Sequence, residues 1–173
     1  ELFGEPAGEL GAGIALDDID VVVHPQSIVH AMVELVDGAP LAHLSMPDMR
    51  LPIAYALGWP DRHALDHEPI DWPTLGSLTF EAPDLDRFPA LGLAYGAART
   101  GGTAPAWFNA ANEVAVAALL EDSVRWRDVA PIIDATLARH DGAPAHDLDA
   151  ILDADTTARR LATEHVEALR CPV

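Results

Sequence analysis

Apolar and polar positions alternate with period two along SIVHAMVELVDG, residues 27–38. Ile28, His30, Met32, Glu34 and Val36 fall on one face, and Val29, Ala31, Val33 and Leu35 on the other. Asp37-Gly38 is a hairpin turn signal, and residues 41–46 supply a return strand. In that return strand Ala42, Leu44 and Met46 share one face, and Leu41, His43 and Ser45 the other. The expectation is an antiparallel hairpin over 29–36 and 41–46, with one dry face for a core and one mixed face for water, ligand or partner. Upstream, residues 19–23 read as a short buried strand stopped by Pro25, and residues 78–81 as another short strand. Residues 4–18 are rich in Gly, Ala and acid and read as a loop. The GELGAG within them has the wrong glycine spacing for a dinucleotide fingerprint, and no strand precedes it.

The period changes along the chain. Residues 51–59 read as a short helix ended by Pro60, and 61–77 as irregular. Past Pro83 the pattern is helical: 88–99, closed by Gly101-Gly102, then 103–121 with Thr103 placed to cap it and Pro105 in the first turn, then 128–140. Residues 147–170 read as helical too, with a break near 153–155. The fold class is therefore α+β: a small sheet with a hairpin and flanking helices, followed by an all-helical C-terminal bundle. The boundary falls near Asp84, giving domains 1–84 and 85–173.

Composition narrows the function classes. The 173 residues carry a formal charge of −18, and all ten basic residues are scattered arginines. Such a chain repels phosphate, so neither nucleic acid nor an anionic membrane is an expected partner. No apolar run approaches the ~20 residues of a bilayer span. A single cysteine, Cys171, excludes an internal disulfide framework and fits a reducing, cytoplasmic location. The chain opens on Glu1, and ELFG reads as the end of a helix already under way, so a fragment is expected.

Candidate chemistry is sparse. His24 and His30 are six apart across Pro25, and His63 and His67 four apart in a Pro/Asp-rich loop. Either pair as metal ligands would need further donors on a common face, and structural roles are the commoner use. Asn109, Asn112 and Glu113 lie on one helical stripe, which is a site or, more often, a satisfied polar network. No Walker loop, CxxC pair or Ser-His-Asp order is present, and no metal ligand is assigned.

Four stretches go further: IDVVVHPQSIVHAMVELVDG, PDMRLPIAYALGWPDR, GSLTFEAPDLDRFP and GGTAPAWFNAANEVAVAALL. Together, and in this order, they resemble 1-deoxy-D-xylulose-5-phosphate reductoisomerase from about Asp20 to about Arg170. The resemblance implies NADPH-dependent rearrangement and reduction of 1-deoxy-D-xylulose 5-phosphate to 2-C-methyl-D-erythritol 4-phosphate, on the non-mevalonate route to isoprenoids. It implies magnesium or manganese as the Lewis acid and a homodimer. It makes residues 1–84 the end of the catalytic and dimerisation domain, and 85–173 the helical domain. The family's NADPH domain, acidic metal site and phosphate site precede the matched stretch. No cofactor is therefore expected to bind this chain alone, and the chain alone is expected to be inactive. By resemblance, His30 is a catalytic-site histidine. Met49 lies by the nicotinamide, its soft sulfur packing on a flat ring, and Pro47 and Asp48 belong to the same cofactor-binding turn. The alternative is a non-catalytic dimerisation or interaction module; a metal hydrolase built on the eight histidines lacks ligand spacing.

Overall fold

The structure is a computed structural model and describes residues 9–10 and 14–169. The expected end of a helix at ELFG, most of the expected 4–18 loop and the last residues around Cys171 lie outside them. Two compact units form, one over Val21–Pro83 and the other joining the described residues before Val21 to the described residues from Asp84 onward. The second arrangement differs from a division of the chain at residue 84 alone. Its described N-terminal part carries a short ribbon, β1 (Glu9–Leu10) with β2 (Ile14–Ala15), and a 3-10 turn over Leu16–Asp18. Tyr95 Oη donates to the Ile19 carbonyl at 2.8 Å and Arg99 pairs with Asp17 at 3.2 Å, which ties this segment to the helices.

In the first unit, β3 (Val29–Glu34) and β4 (Pro40–Leu44) form the antiparallel hairpin. Gly38 takes φ +81°, a left-handed conformation that glycine adopts without Cβ strain, and Asp37 accepts from the Ala39 N–H at 3.0 Å. The expected dry face does not form. Ala31 pairs with His43 and Val33 with Leu41, while Met32 pairs with Ala42 and Glu34 with Pro40. Pro40 and Ala42 thus share a face with Met32 and Glu34, and Leu41 and His43 share the other with Ala31 and Val33. Both faces mix apolar and polar groups, and Met32, Val33 and Leu41 are exposed.

The strands expected over 19–23 and 78–81 reduce to one bridge, Val23 with Glu81, through N–H···O bonds of 2.8 and 2.9 Å. Val21, Val22 and Val23 are exposed rather than buried. Pro25 has no N–H and cannot continue a ladder. The helix α1 (Arg50–Gly58) matches the short apolar run, and within the expected irregular region one turn, α2 (Trp72–Leu75), is capped by Asp71.

The helical unit contains α3 (Ala90–Thr100), α4 (Ala104–Leu120), α5 (Val129–Leu137) and α6 (Leu148–Leu169). Its core is built from small residues on α4 and α6. Ala110, Ala111, Ala115, Ala158 and Ala162 are fully buried. Alanine has the best helix propensity and lets helix axes approach closely. Ile132 and Ile133 of α5 and Val166 of α6 fill the space beside Ala111 and Ala115. Trp107 packs with Ala154, Ala158 and Leu161. The expected break near 153–155 is absent: α6 runs unbroken because Asp155 is half-buried and paired to Arg159 one turn on, at 2.7 Å. Asp147 starts α6 by accepting from the Ala150 N–H at 2.8 Å.

Thr103 occupies the position before α4 but does not cap it. Gly101 and Gly102 turn the chain at φ +68° and +57°. The buried Thr103 hydroxyl is directed instead to the 140–143 loop, donating to the Ala143 carbonyl at 3.0 Å and meeting His140 Nε2 at 2.9 Å. A Cβ on Gly102 would stand 2.6 Å from the Ala143 carbonyl oxygen, so this close approach needs glycine.

Candidate functional site: a histidine bulge and the turn that follows

His30 sits where the hairpin register slips. Val29 pairs with Leu44 and Ala31 with His43, so β3 spends two residues against one step of β4. His30 is the extra residue of a β-bulge, a device that re-aims a side chain. Its Nε2 donates to the Ser45 carbonyl at 3.1 Å, which puts a proton on Nε2, so that in the neutral ring Nδ1 is the acceptor nitrogen. The ring is exposed and lies 5.5 Å from the His43 ring. Ser45 itself is buried, and its N–H donates to the carbonyl of Ile28, whose side chain is only 3% exposed.

Two residues past Ser45 comes the Pro47–Met49 turn. Asp48 Oδ1 accepts from the Arg50 backbone N–H at 2.9 Å, and its carboxylate also binds the Arg50 guanidinium, with Nη2 at 2.6 Å. These hydrogen bonds hold the Asp48 carboxyl down at about 2, with the Arg50 charge reinforcing them. The turn is thus closed by its own side chains before α1 begins. Pro47 is exposed, and Met49 presents its thioether at 71% exposure. The Met49 sulfur takes part in no hydrogen bond among the described residues, whereas the Asp48 carboxylate is engaged by Arg50.

The other sequence candidates separate. His24 is half-buried, donates from Nδ1 to the Thr79 carbonyl at 2.7 Å and stacks on Phe80 at 4.6 Å. No contact joins it to His30 as a ligand pair. His63 and His67 both line a small cavity with Leu51, Tyr55 and Arg62, where the Arg62 guanidinium lies 3.8 Å over the Tyr55 ring. On the bundle, Asn109 donates to Glu113 at 3.1 Å, and Glu113 pairs with Arg159 at 2.5 Å. Arg159 and then Asn109 hold the Glu113 carboxyl below its ordinary value. The Asn112 side chain makes no hydrogen bond with the described residues and stands outside this network. Among the described residues no three His, Cys, Asp or Glu side chains converge to hold a metal ion. No helix of the described residues is long and apolar enough to cross a membrane.

Sequence reasoning overlooked Ser45, Gln26 and Thr79. Ser45 acts through its backbone carbonyl, which no side-chain pattern records. Gln26 and Thr79 bond across 53 positions, beyond the reach of local spacing.

The sequence pattern of the DXP reductoisomerase C-terminal domain matches residues 44–161. The 1-deoxy-D-xylulose 5-phosphate reductoisomerase of Rhodospirillum centenum is 52% identical over 169 residues, covering 98% of this chain and 40% of that protein. The Acetivibrio thermocellus enzyme of the same name is 51% identical over 154 residues, 89% of this chain and 40% of its own length. Among solved structures, the Zymomonas mobilis reductoisomerase in complex with NADPH superposes with a TM-score of 0.83 at 43% identity, over 90% of this chain and 41% of that one. A DOX-P reductoisomerase in complex with NADPH, fosmidomycin and magnesium superposes with a TM-score of 0.77, also at 43% identity, over 86% of this chain and 38% of that one. The chain spans about 40% of the length of the curated relatives it matches. With the motifs, the helical bundle and these likenesses in agreement, the chain belongs to the 1-deoxy-D-xylulose 5-phosphate reductoisomerase family.

Proposed function

We propose that this chain supplies the C-terminal share of an NADPH- and divalent-metal-dependent reductoisomerase. That enzyme converts 1-deoxy-D-xylulose 5-phosphate to 2-C-methyl-D-erythritol 4-phosphate in the cytoplasm, as a homodimer, with magnesium or manganese. The observation that supports a share in the site is the coupling of His30 to the Pro47–Met49 turn through Ser45. Ser45 holds the His30 ring by its carbonyl and leads directly into the turn, so two exposed functional side chains issue from one short, self-bonded stretch. His30 offers Nδ1 as an acceptor beside the reacting substrate. Met49 packs its thioether on the nicotinamide, with Pro47 and Asp48 fixing the backbone beneath it. We place no metal or phosphate role on the described residues, and we expect no turnover from the chain alone.

Fusing this stretch to the preceding three-fifths of the Rhodospirillum centenum relative tests the reading. The fusion is expected to oxidise NADPH with 1-deoxy-D-xylulose 5-phosphate and manganese. His30→Ala lowers turnover by roughly 10²-fold, in the range of one positioned acid–base group. Met49→Ala raises KM for NADPH or substrate more than it weakens metal binding. A folded fusion with no turnover, or full activity in both variants, would sink the proposal. The second reading, a dimerisation module without chemistry, draws on the hairpin's exposed apolar side chains. It predicts a stable dimer of the chain and an inactive fusion.

A further inference from the structure

We infer that Gln26 and Thr79 are positioning residues that aim His30, acting as a clamp on the loop that enters β3. The clamp begins where the strand ladder fails. Val23 and Glu81 exchange both backbone bonds, and Pro25 then blocks any further pairing. From that point side chains take over. Thr79 gives all three of its polar groups to residues 24–26. Its carbonyl accepts from His24 Nδ1 at 2.7 Å. Its N–H donates to Gln26 Oε1 at 3.2 Å. Its hydroxyl accepts from Gln26 Nε2 at 2.9 Å and stands 3.1 Å from Gln26 Oε1.

What this holds is a strained turn. Ser27 N–H closes back on the His24 carbonyl at 3.0 Å, and Ser27 takes φ +56°, a left-handed conformation rare outside glycine and asparagine. Strain of this kind persists only where neighbours over-determine it. Immediately after it, Ile28 drops into the unit as its one fully buried apolar side chain among the described residues, and its carbonyl receives the Ser45 N–H at 3.1 Å. Ser45 returns its own carbonyl to His30 Nε2. The sequence Thr79, Gln26, Ser27, Ile28, Ser45, His30 is thus one continuous path of bonds and peptide links. A bulge alone fixes that His30 is extra; the clamp fixes which way it leans. The inference rests on the proposed role of His30 only for its functional meaning.

The test uses the 173-residue chain with Gln26→Ala, Thr79→Val and Thr79→Ser, all at partly or fully exposed positions that leave the helical core untouched. Two readouts are followed by NMR: the cross-relaxation signal between the His30 and His43 rings, and hydrogen exchange of the Ser45 amide. Gln26→Ala and Thr79→Val are expected to weaken the ring–ring signal at least threefold and to speed Ser45 exchange by about tenfold, the size of one lost hydrogen bond. Thr79→Ser, which keeps all three polar groups, restores both. Unchanged ring signal and exchange in the first two variants would overturn the clamp. So would a Thr79→Ser variant as impaired as Thr79→Val, or uniform loss of protection over residues 29–44, since the clamp would then hold the whole hairpin rather than aim one ring. None of these readouts uses turnover. A fully active His30→Ala fusion would remove the functional reading and leave the aiming geometry standing.

Discussion

Asp48 shows how one carboxylate can close a turn. Its carboxylate is occupied by Arg50, so its contribution is to shape the turn that carries Met49. The folded-state carboxyl is depressed from 3.8 to about 2. A depressed carboxyl stabilises the fold above its unfolded value and loses that contribution as pH falls through the folded one. The turn is therefore expected to stay closed at neutral pH and to loosen only between about pH 4 and 2. Carbon-detected titration of Asp48 should show the low midpoint, and Arg50→Gln should return it toward the ordinary carboxylate range. Asn112 is the opposite case. Spacing placed it with Asn109 and Glu113, yet Asn109 bonds only Glu113, and Glu113 alone of the three pairs with Arg159. Asn112→Ala is accordingly expected to shift stability by no more than about 0.5 kcal/mol in chemical denaturation; a loss above about 1.5 kcal/mol would reveal a partner. Helical spacing identified the stripe correctly but carries no information on which members find a cross-helix cation.

At the scale of elements, the helices were legible and the strands less so. Helix periods repeat over many residues, so α3 to α6 stand out despite shifted ends. A two-residue pairing such as Val23 with Glu81 leaves no period to read. The hairpin's turn was legible from Asp37-Gly38, but its faces were not, because a single bulge residue offsets one strand's alternation against the other's. The missing break in α6 has a similar cause: acidic residues that look like a stop are half-satisfied by Arg159 across one turn. The junction before α4 gives a sharp test. Thr103→Val keeps the shape and the backbone bond to the Ala143 carbonyl but removes the hydroxyl that meets both that carbonyl and His140 Nε2, and should cost roughly 1–3 kcal/mol, with Thr103→Ser close to wild type. Gly102→Ala should also destabilise, by about 1–3 kcal/mol, from the left-handed backbone and the approach to Ala143. In the bundle, Ala111→Leu should destabilise by roughly 1–3 kcal/mol through overpacking of a fully buried position, read as a lower thermal midpoint.

For the molecule as a whole, the two units differ in how they are held. The helical unit buries two connected clusters of apolar side chains, whereas Val21–Pro83 fully buries Ile28 and little else among the described residues. Two-stranded hairpins are marginal on their own in water. Amides of α4 and α6 should therefore be the last to exchange, and those of β3 and β4 among the first; equal protection in both would contradict this account. The hairpin also bears on how the protein behaves in a test tube. Its strands carry Met32, Val33 and Leu41 in the open, beside unpaired outer edges that can template further pairing. What keeps such chains apart is mutual repulsion from a charge of −18, felt over ~10 Å at 0.1 M salt but only ~3 Å at 1 M. The protein should remain clear in dilute buffer and scatter light as sodium chloride is raised. Colloidal stability then rests on the excess of acidic over basic side chains, and purification steps at high salt would favour association.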